Sequence, residues 1–117
     1  MSRRISRDLL RDIEKCLDAL LIANDLKNAL EYNDKSAFEN NLKLLYRKID
    51  EIKSPVIYED MEDVKGQIEY LEREVDLEEF KHLKYAKLAL KNVIENDIIR
   101  FIKDRLLEYF EKGIPSI

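Results

Sequence analysis

Glycine and proline, the strongest turn-makers, occur only twice each in this chain of 117 residues. Sandwiches, barrels and nucleotide-binding βαβ units draw on those residues at each reversal, so their scarcity points to an all-α chain with few connections. The length and an apolar content of 45% suit one domain, residues 1–117, folded around a single core.

Hydrophobic periodicity places the helices. Ile5, Leu9, Ile13, Cys16, Leu17, Leu20, Ala23 and Leu30 recur at three-and-four spacing, which is one face of a helix over about 5–32. Leu10, Leu21, Ile22 and Leu26 fall outside that stripe. Asn33, Asp34 and Lys35 break the pattern, and Ser36 with Glu39 reads as the capping box of a second helix over 37–53. Its core line is Phe38, Leu42, Leu45, Ile49 and Ile52. Pro55 is read as ending it, because proline disfavours helical geometry in the residue before it, with Val56, Ile57 and Tyr58 as a short linker. Ile57, Met61, Val64, Ile68, Leu71 and Val75 form the stripe of a third helix, 59–75.

The next apolar line, Phe80, Leu83, Leu90, Ile94, Ile98 and Phe101, starts out of phase with the third. A break is expected there, with Asp76 and Glu79 as a capping box and Val75 and Phe80 as a hydrophobic staple. A single bent helix over about 59–111 is the alternative. The last helix, about 77–112, ends with Lys112, the terminator Gly113 and then Pro115. The expectation is therefore a bundle of about four helices in the order long, short, short, long.

Helices of unequal length leave apolar surface uncovered, and the surplus lies on the two long ones. On the last helix it comprises Leu88, Ile99, Ile102, Leu106 and Tyr109 beside a main line that includes Phe101 and Phe110; on the first it comprises Leu10, Leu21 and Ile22. An apolar band wider than one stripe serves neighbours on two sides. Ile99, Ile102, Leu106 and Phe110, then Leu21 and Ile22, are the expected partner interface. The expected function is protein–protein association, as a homodimer or as a helical subunit of a larger complex, without catalysis.

Charge suggests the alternative. Residues 1–11 carry a net +3 from Arg3, Arg4, Arg7 and Arg11 against Asp8, an arrangement unhelpful to a helix start and suited to phosphate contacts. From Tyr58 to Glu79 the net charge is −8, and from Phe80 to Lys91 it is +4, so acidic and basic helix flanks are expected to face one another across a hairpin. Lys84, Lys87 and Lys91 fall within about 60° on a helix and form the second candidate nucleic-acid contact. Against that reading stand an overall charge of −4 and the lack of any glycine-rich, aromatic-basic or zinc-finger signature.

Other chemistries find less support. Glu79 and His82, three apart, are the ligand pair of a carboxylate-bridged metal site. Such a site needs the pair twice with two further glutamates, and even a dimer drawing on Glu69, Glu72 or Glu74 reaches it only by symmetry. No metal or cofactor is expected. Cys16 sits in an apolar string that suggests burial, with His82 as the lone histidine to activate it. The serines at positions 2, 6, 36, 54 and 116 lie at termini or turns without a nucleophile elbow, and Gly66 and Gly113 cannot build a phosphate-cradling loop. Nothing singles out a carboxylate pair or a small-molecule substrate. The longest apolar run, Ala19 to Ala23, is five residues against roughly 20 for a membrane span. The early arginines run into acidic residues rather than a signal-peptide core, and a reducing, cytoplasmic setting is the expectation.

Overall fold

The computed structural model describes residues 7–74 and 84–113. All regular structure among them is helical: α1 (Arg7–Glu31), α2 (Lys35–Asp50), α3 (Pro55–Glu74) and α4 (84–112). The helical backbone of α4 changes winding twice. It is α-helical over Lys84–Asn92, π-helical over Val93–Arg100 and α-helical again over Phe101–Lys112. Sequential helices pack side by side, and α4 closes the ring against both α1 and α3. The result is an up-down-up-down four-helix bundle measuring 56 × 21 × 20 Å. A single bent helix over 59–111 is ruled out, because Tyr109 donates a hydrogen bond to Asp60 and the two segments lie alongside each other. The capping box and staple expected around Val75, Asp76, Glu79 and Phe80 lie outside the described residues, as do Ile5, Leu83 and Pro115.

The cores of α2 and α3 follow their sequence stripes. Phe38, Leu42, Leu45, Ile49 and Ile52 are buried, as are Ile57, Met61, Val64, Ile68 and Leu71. α1 contributes mainly small side chains, Cys16, Ala19, Ala23 and Ala29, with Ile13, Leu26 and Leu30, and small residues allow neighbouring helices to approach closely. Two expectations for α1 are corrected: Leu26 is core, and Leu17 is 42% exposed.

Both described corners differ from the sequence reading by a few residues. Asn33 has φ of 56°. Its amide donates to the Leu30 carbonyl at 3.2 Å, and that of Asp34 donates to Ala29 at 2.9 Å. This is a Schellman closure with asparagine in the left-handed position. It leaves Asp34 as the cap of α2, accepting from the Ala37 amide at 3.1 Å, so Ser36 is already inside the helix. At the second corner Pro55 begins α3 rather than ending α2, since proline suits the first helical position, where no donor is needed. Ser54 precedes it as the cap, its hydroxyl accepting from the Ile57 amide at 3.5 Å.

That second corner is held by α1. Asp12, the one buried charged side chain in the described core, accepts from the amides of Lys53 at 3.0 Å and Ser54 at 2.8 Å. Lys15, on the next turn position of α1, donates to the Glu51 carbonyl at 2.8 Å. Further along the α2–α3 seam, the Lys65 ammonium meets Asp50 and the Tyr58 hydroxyl, each at 2.6 Å. It lies 4.6 Å from the centre of the Tyr46 ring and 5.0 Å from that of Tyr58, within cation–π range. The hydrogen bond from Lys65 holds the Asp50 carboxyl below its ordinary value, and the bonds to Asp50 and Tyr58 raise the ammonium above its own.

Two outcomes are expected. Asp12→Ala leaves two corner amides without their acceptor and is expected to lower stability by about 2 kcal/mol; a urea midpoint shift worth under about 0.5 kcal/mol, the scale of a neutral surface change, would contradict the assigned role. The Asp50–Lys65 tie contributes fully between the ordinary Asp and Lys values, about 4 and 10. It is lost as pH falls through the lowered Asp50 value or rises through the raised Lys65 value. Asp50→Asn is therefore expected to flatten the acid side of a melting-temperature profile, and a parallel profile for the variant would show that the pair adds nothing.

Candidate functional site

The winding of α4 decides which of its side chains remain for function. Its buried residues are Leu90, Ile94, Ile98, Ile102, Leu106 and Tyr109, four residues apart in every step but the last. In a uniform α-helix at about 100° per residue, each four-residue step drifts by about 40°, so Leu90 and Leu106 would stand about 160° apart. The π-helical stretch Val93–Arg100, with i→i+5 bonds and fewer degrees per residue, takes back that drift. All six therefore point into one core.

This corrects the expected partner interface. Ile102 and Leu106, 0% and 5% exposed, belong to the chain's own core, and Ile99 is half-buried against it. Ile22 is likewise partly buried against the core. The sequence reading carried an α-helical phase through a π segment and so placed the α4 surplus on the wrong side. Phe101, assigned to the core line, is only partly buried, and the Arg105 guanidinium lies 5.2 Å from the centre of its ring.

Leu21 and Phe110 are exposed as anticipated, at 66% and 63%. They have company. Leu10 and Leu17 on α1, with Leu107 on α4, are also exposed. Leu10, Leu17 and Leu21 stand within about 40° around α1. Asn24, three residues after Leu21, lines a groove between α1 and α4 that also includes Ile99, Lys103 and Leu107 and has a volume of about 490 Å³. The ion pairs Lys91–Glu31 at 2.8 Å and Lys27–Glu95 at 3.5 Å fix α1 and α4 as antiparallel. Carrying that register down the helices brings Leu107 and Phe110 level with about residues 12–15 of α1, between Leu10 and Leu17. Leu107 lines that groove, and in this register the five exposed side chains fall on neighbouring stretches of α1 and α4 toward one end of the bundle.

The lysine stripe is engaged inside the chain. Lys87 donates to the Glu31 carbonyl at 3.1 Å and to the Asn33 side chain at 2.8 Å, closing the negative end of the α1 dipole. Lys91 pairs with Glu31, and their hydrogen bond lowers the Glu31 carboxyl and raises the ammonium. These lysines therefore meet the end of α1 instead of the acidic flank of α3. Arg7 and Arg11 are exposed on the first turns of α1. Arg3, Arg4, Glu79 and His82 lie outside the described residues, and Lys84 opens α4.

Two further features were not singled out in the sequence. A second groove of about 600 Å³ between α3 and α4 carries Glu62, Asp63, Asp97 and Asp104 around Arg100 and Phe101. Near the Asp12 corner, Cys16 and Tyr109 are both buried, and the charge of Asp60 acts on both. Burial, then the charges of Asp12 and Asp60, pushes the Cys16 thiol up to about 12, which leaves it protonated and unreactive at neutral pH. Burial and the bond to Asp60 raise the Tyr109 hydroxyl as well. Among the described residues no group of three or more His, Cys, Asp or Glu is placed to hold a metal ion, and no helix is long and apolar enough to cross a membrane.

The division between core and surface has a direct check. Ile102→Ala is expected to cost about 3 kcal/mol of stability as a core truncation, whereas Phe110→Ser and Leu21→Ser should stay within about 0.5 kcal/mol. Equal losses at Ile102 and Phe110 would contradict the π-shifted phase. Comparison of the chain with protein-family models, curated proteins and solved structures found no match.

Proposed function

We propose that this chain is an association module that buries the α1–α4 face against another helical protein surface, without catalysis of its own. The observation that carries this reading is the set of five exposed large apolar side chains on two adjacent helices, Leu10, Leu17 and Leu21 on α1 with Leu107 and Phe110 on α4, of which Leu107 lines the groove between them. Together they expose on the order of 500 Å² of apolar surface, within the range of about 300–600 Å² for the largest patch on a monomer, which is often functional. Helix-face packing is the mechanism: a partner's apolar side chains fill the groove over Ile99 while Arg7, Arg11 and Lys103 form part of a charged rim that selects orientation.

The nucleic-acid alternative draws on Arg7 and Arg11, together with Arg3 and Arg4 in the sequence. It is the weaker reading, because Lys87 and Lys91 are occupied by Glu31 and Asn33 and Glu14 and Asp18 follow the arginines along α1.

Photo-crosslinking distinguishes the surface from its surroundings. A crosslinking residue at position 21 or 107, in the full chain in cell extract and after purification, is expected to give a discrete protein adduct. The same residue at exposed position 72 on α3 should give none. Adducts from all three positions, or from none, would sink the reading.

A further inference from the structure

Resting on the association reading above, we propose that the occupant of the α1–α4 face is a second copy of this chain, docked with its α1 antiparallel to the first about a two-fold axis. Two independent features support a self-complementary contact. The first is area. A patch of about 500 Å² of apolar surface, at the roughly 57% apolar fraction of an ordinary interface, corresponds to about 900 Å² per partner. A standard stable interface buries about 800 Å² on each side.

The second is the order of charge along α1. Arg7 and Arg11 are exposed at its start, and Glu14, Asp18 and Asp25 are exposed further on. Arg7, Glu14 and Asp18 each lie three residues from an exposed leucine and Asp25 lies four from Leu21, so they border the apolar stripe. No ion pair within the described chain engages Arg7, Arg11, Glu14 or Asp25, and Asp18 meets only Lys48 at 3.8 Å. A helix positive at one end and negative beyond complements its own reversed copy. Parallel docking would set arginine against arginine. A two-fold contact uses the same patch on both molecules, which is what an antiparallel pairing of Leu10, Leu17 and Leu21 supplies. A polyanion would meet the three carboxylates.

Sedimentation equilibrium of the full chain over a micromolar to near-millimolar range tests this. A mass twice the 14.0 kDa of one chain is expected, with dimerisation weakened several-fold by high salt. Leu21→Lys is expected to abolish dimerisation with unchanged helical circular dichroism. The double reversal Arg7→Glu with Arg11→Glu should weaken self-association at least tenfold. Mixing that variant with the triple reversal of Glu14, Asp18 and Asp25 to Lys should restore a mixed dimer. A chain monomeric at the highest concentration overturns the second copy. If position 21 still crosslinks to another protein, the association reading stands with a different partner; if it crosslinks to nothing, both fall. A dimer indifferent to Leu21→Lys, or a charge-reversed mixture that does not pair, overturns the proposed face or its orientation.

Discussion

Everything in this bundle that involves α4 depends on one helix keeping one face toward two neighbours over its whole length. Leu90 at one end and Tyr109 at the other both point inward, although uniform α-helical winding would carry the line well around the helix. The widened turns at Val93–Arg100 resolve this conflict between sequence spacing and helical pitch. Because the face is kept, the Lys91–Glu31 and Lys27–Glu95 pairs form at one end and Tyr109 reaches Asp60 at the other. The same winding withdraws Ile102 and Leu106 from solvent and leaves Leu107 and Phe110 outside.

The remaining order comes from the corners. Asn33 and Asp34 close α1 and open α2 within three residues, and Asp12 supplies from α1 the acceptors that the α2–α3 turn lacks. Ion pairs at such exposed seams are individually worth about 0.2–1 kcal/mol. The arrangement of those that cross between helices, Lys27–Glu95, Lys48–Asp18, Lys65–Asp50 and Lys91–Glu31, serves alignment more than stability, since they join residues distant in sequence and fit one antiparallel register. Burial of some two dozen apolar side chains supplies the driving force, and the polar ties choose among the packings that burial permits.

Much of this was legible from residue types alone. Within the described residues the α2 and α3 stripes coincide with their buried residues, and the long N-terminal helix is where periodicity places it. The exposure of Leu21 follows from its distance from the α1 core line, whereas Phe110, read on the main line of the last helix, is exposed. What escaped did so for identifiable reasons. Pro55 fits either the residue after a helix or the first residue of one, and the deciding carboxylate, Asp12, is more than 40 residues away in sequence. Leu17 and Leu26 swapped environments because α1 is apolar over a wide arc, and only its neighbours select the buried part. Ile102 and Leu106 were misplaced because a constant pitch was assumed. The signal was nevertheless present: Leu90, Ile94, Ile98, Ile102 and Leu106 follow one another at intervals of four, a period too long for a straight α-helical stripe. The Leu10, Leu17, Leu107 and Phe110 cluster needed tertiary register, since it joins the two ends of the chain.

The position of Cys16 has a consequence for following this protein in motion. The thiol has no solvent exposure, and burial raises its pKa, so the nucleophilic form is scarce while the bundle is closed. It stands well inside α1 (Arg7–Glu31) and belongs to the buried core, so fraying of a helix end does not deliver it to water. Alkylation therefore proceeds through opening of the helix interface itself, and when reclosing is faster than reaction its rate is proportional to the population of that open state. The lone thiol is in effect a built-in clock for separation of the bundle, silent while helix ends breathe.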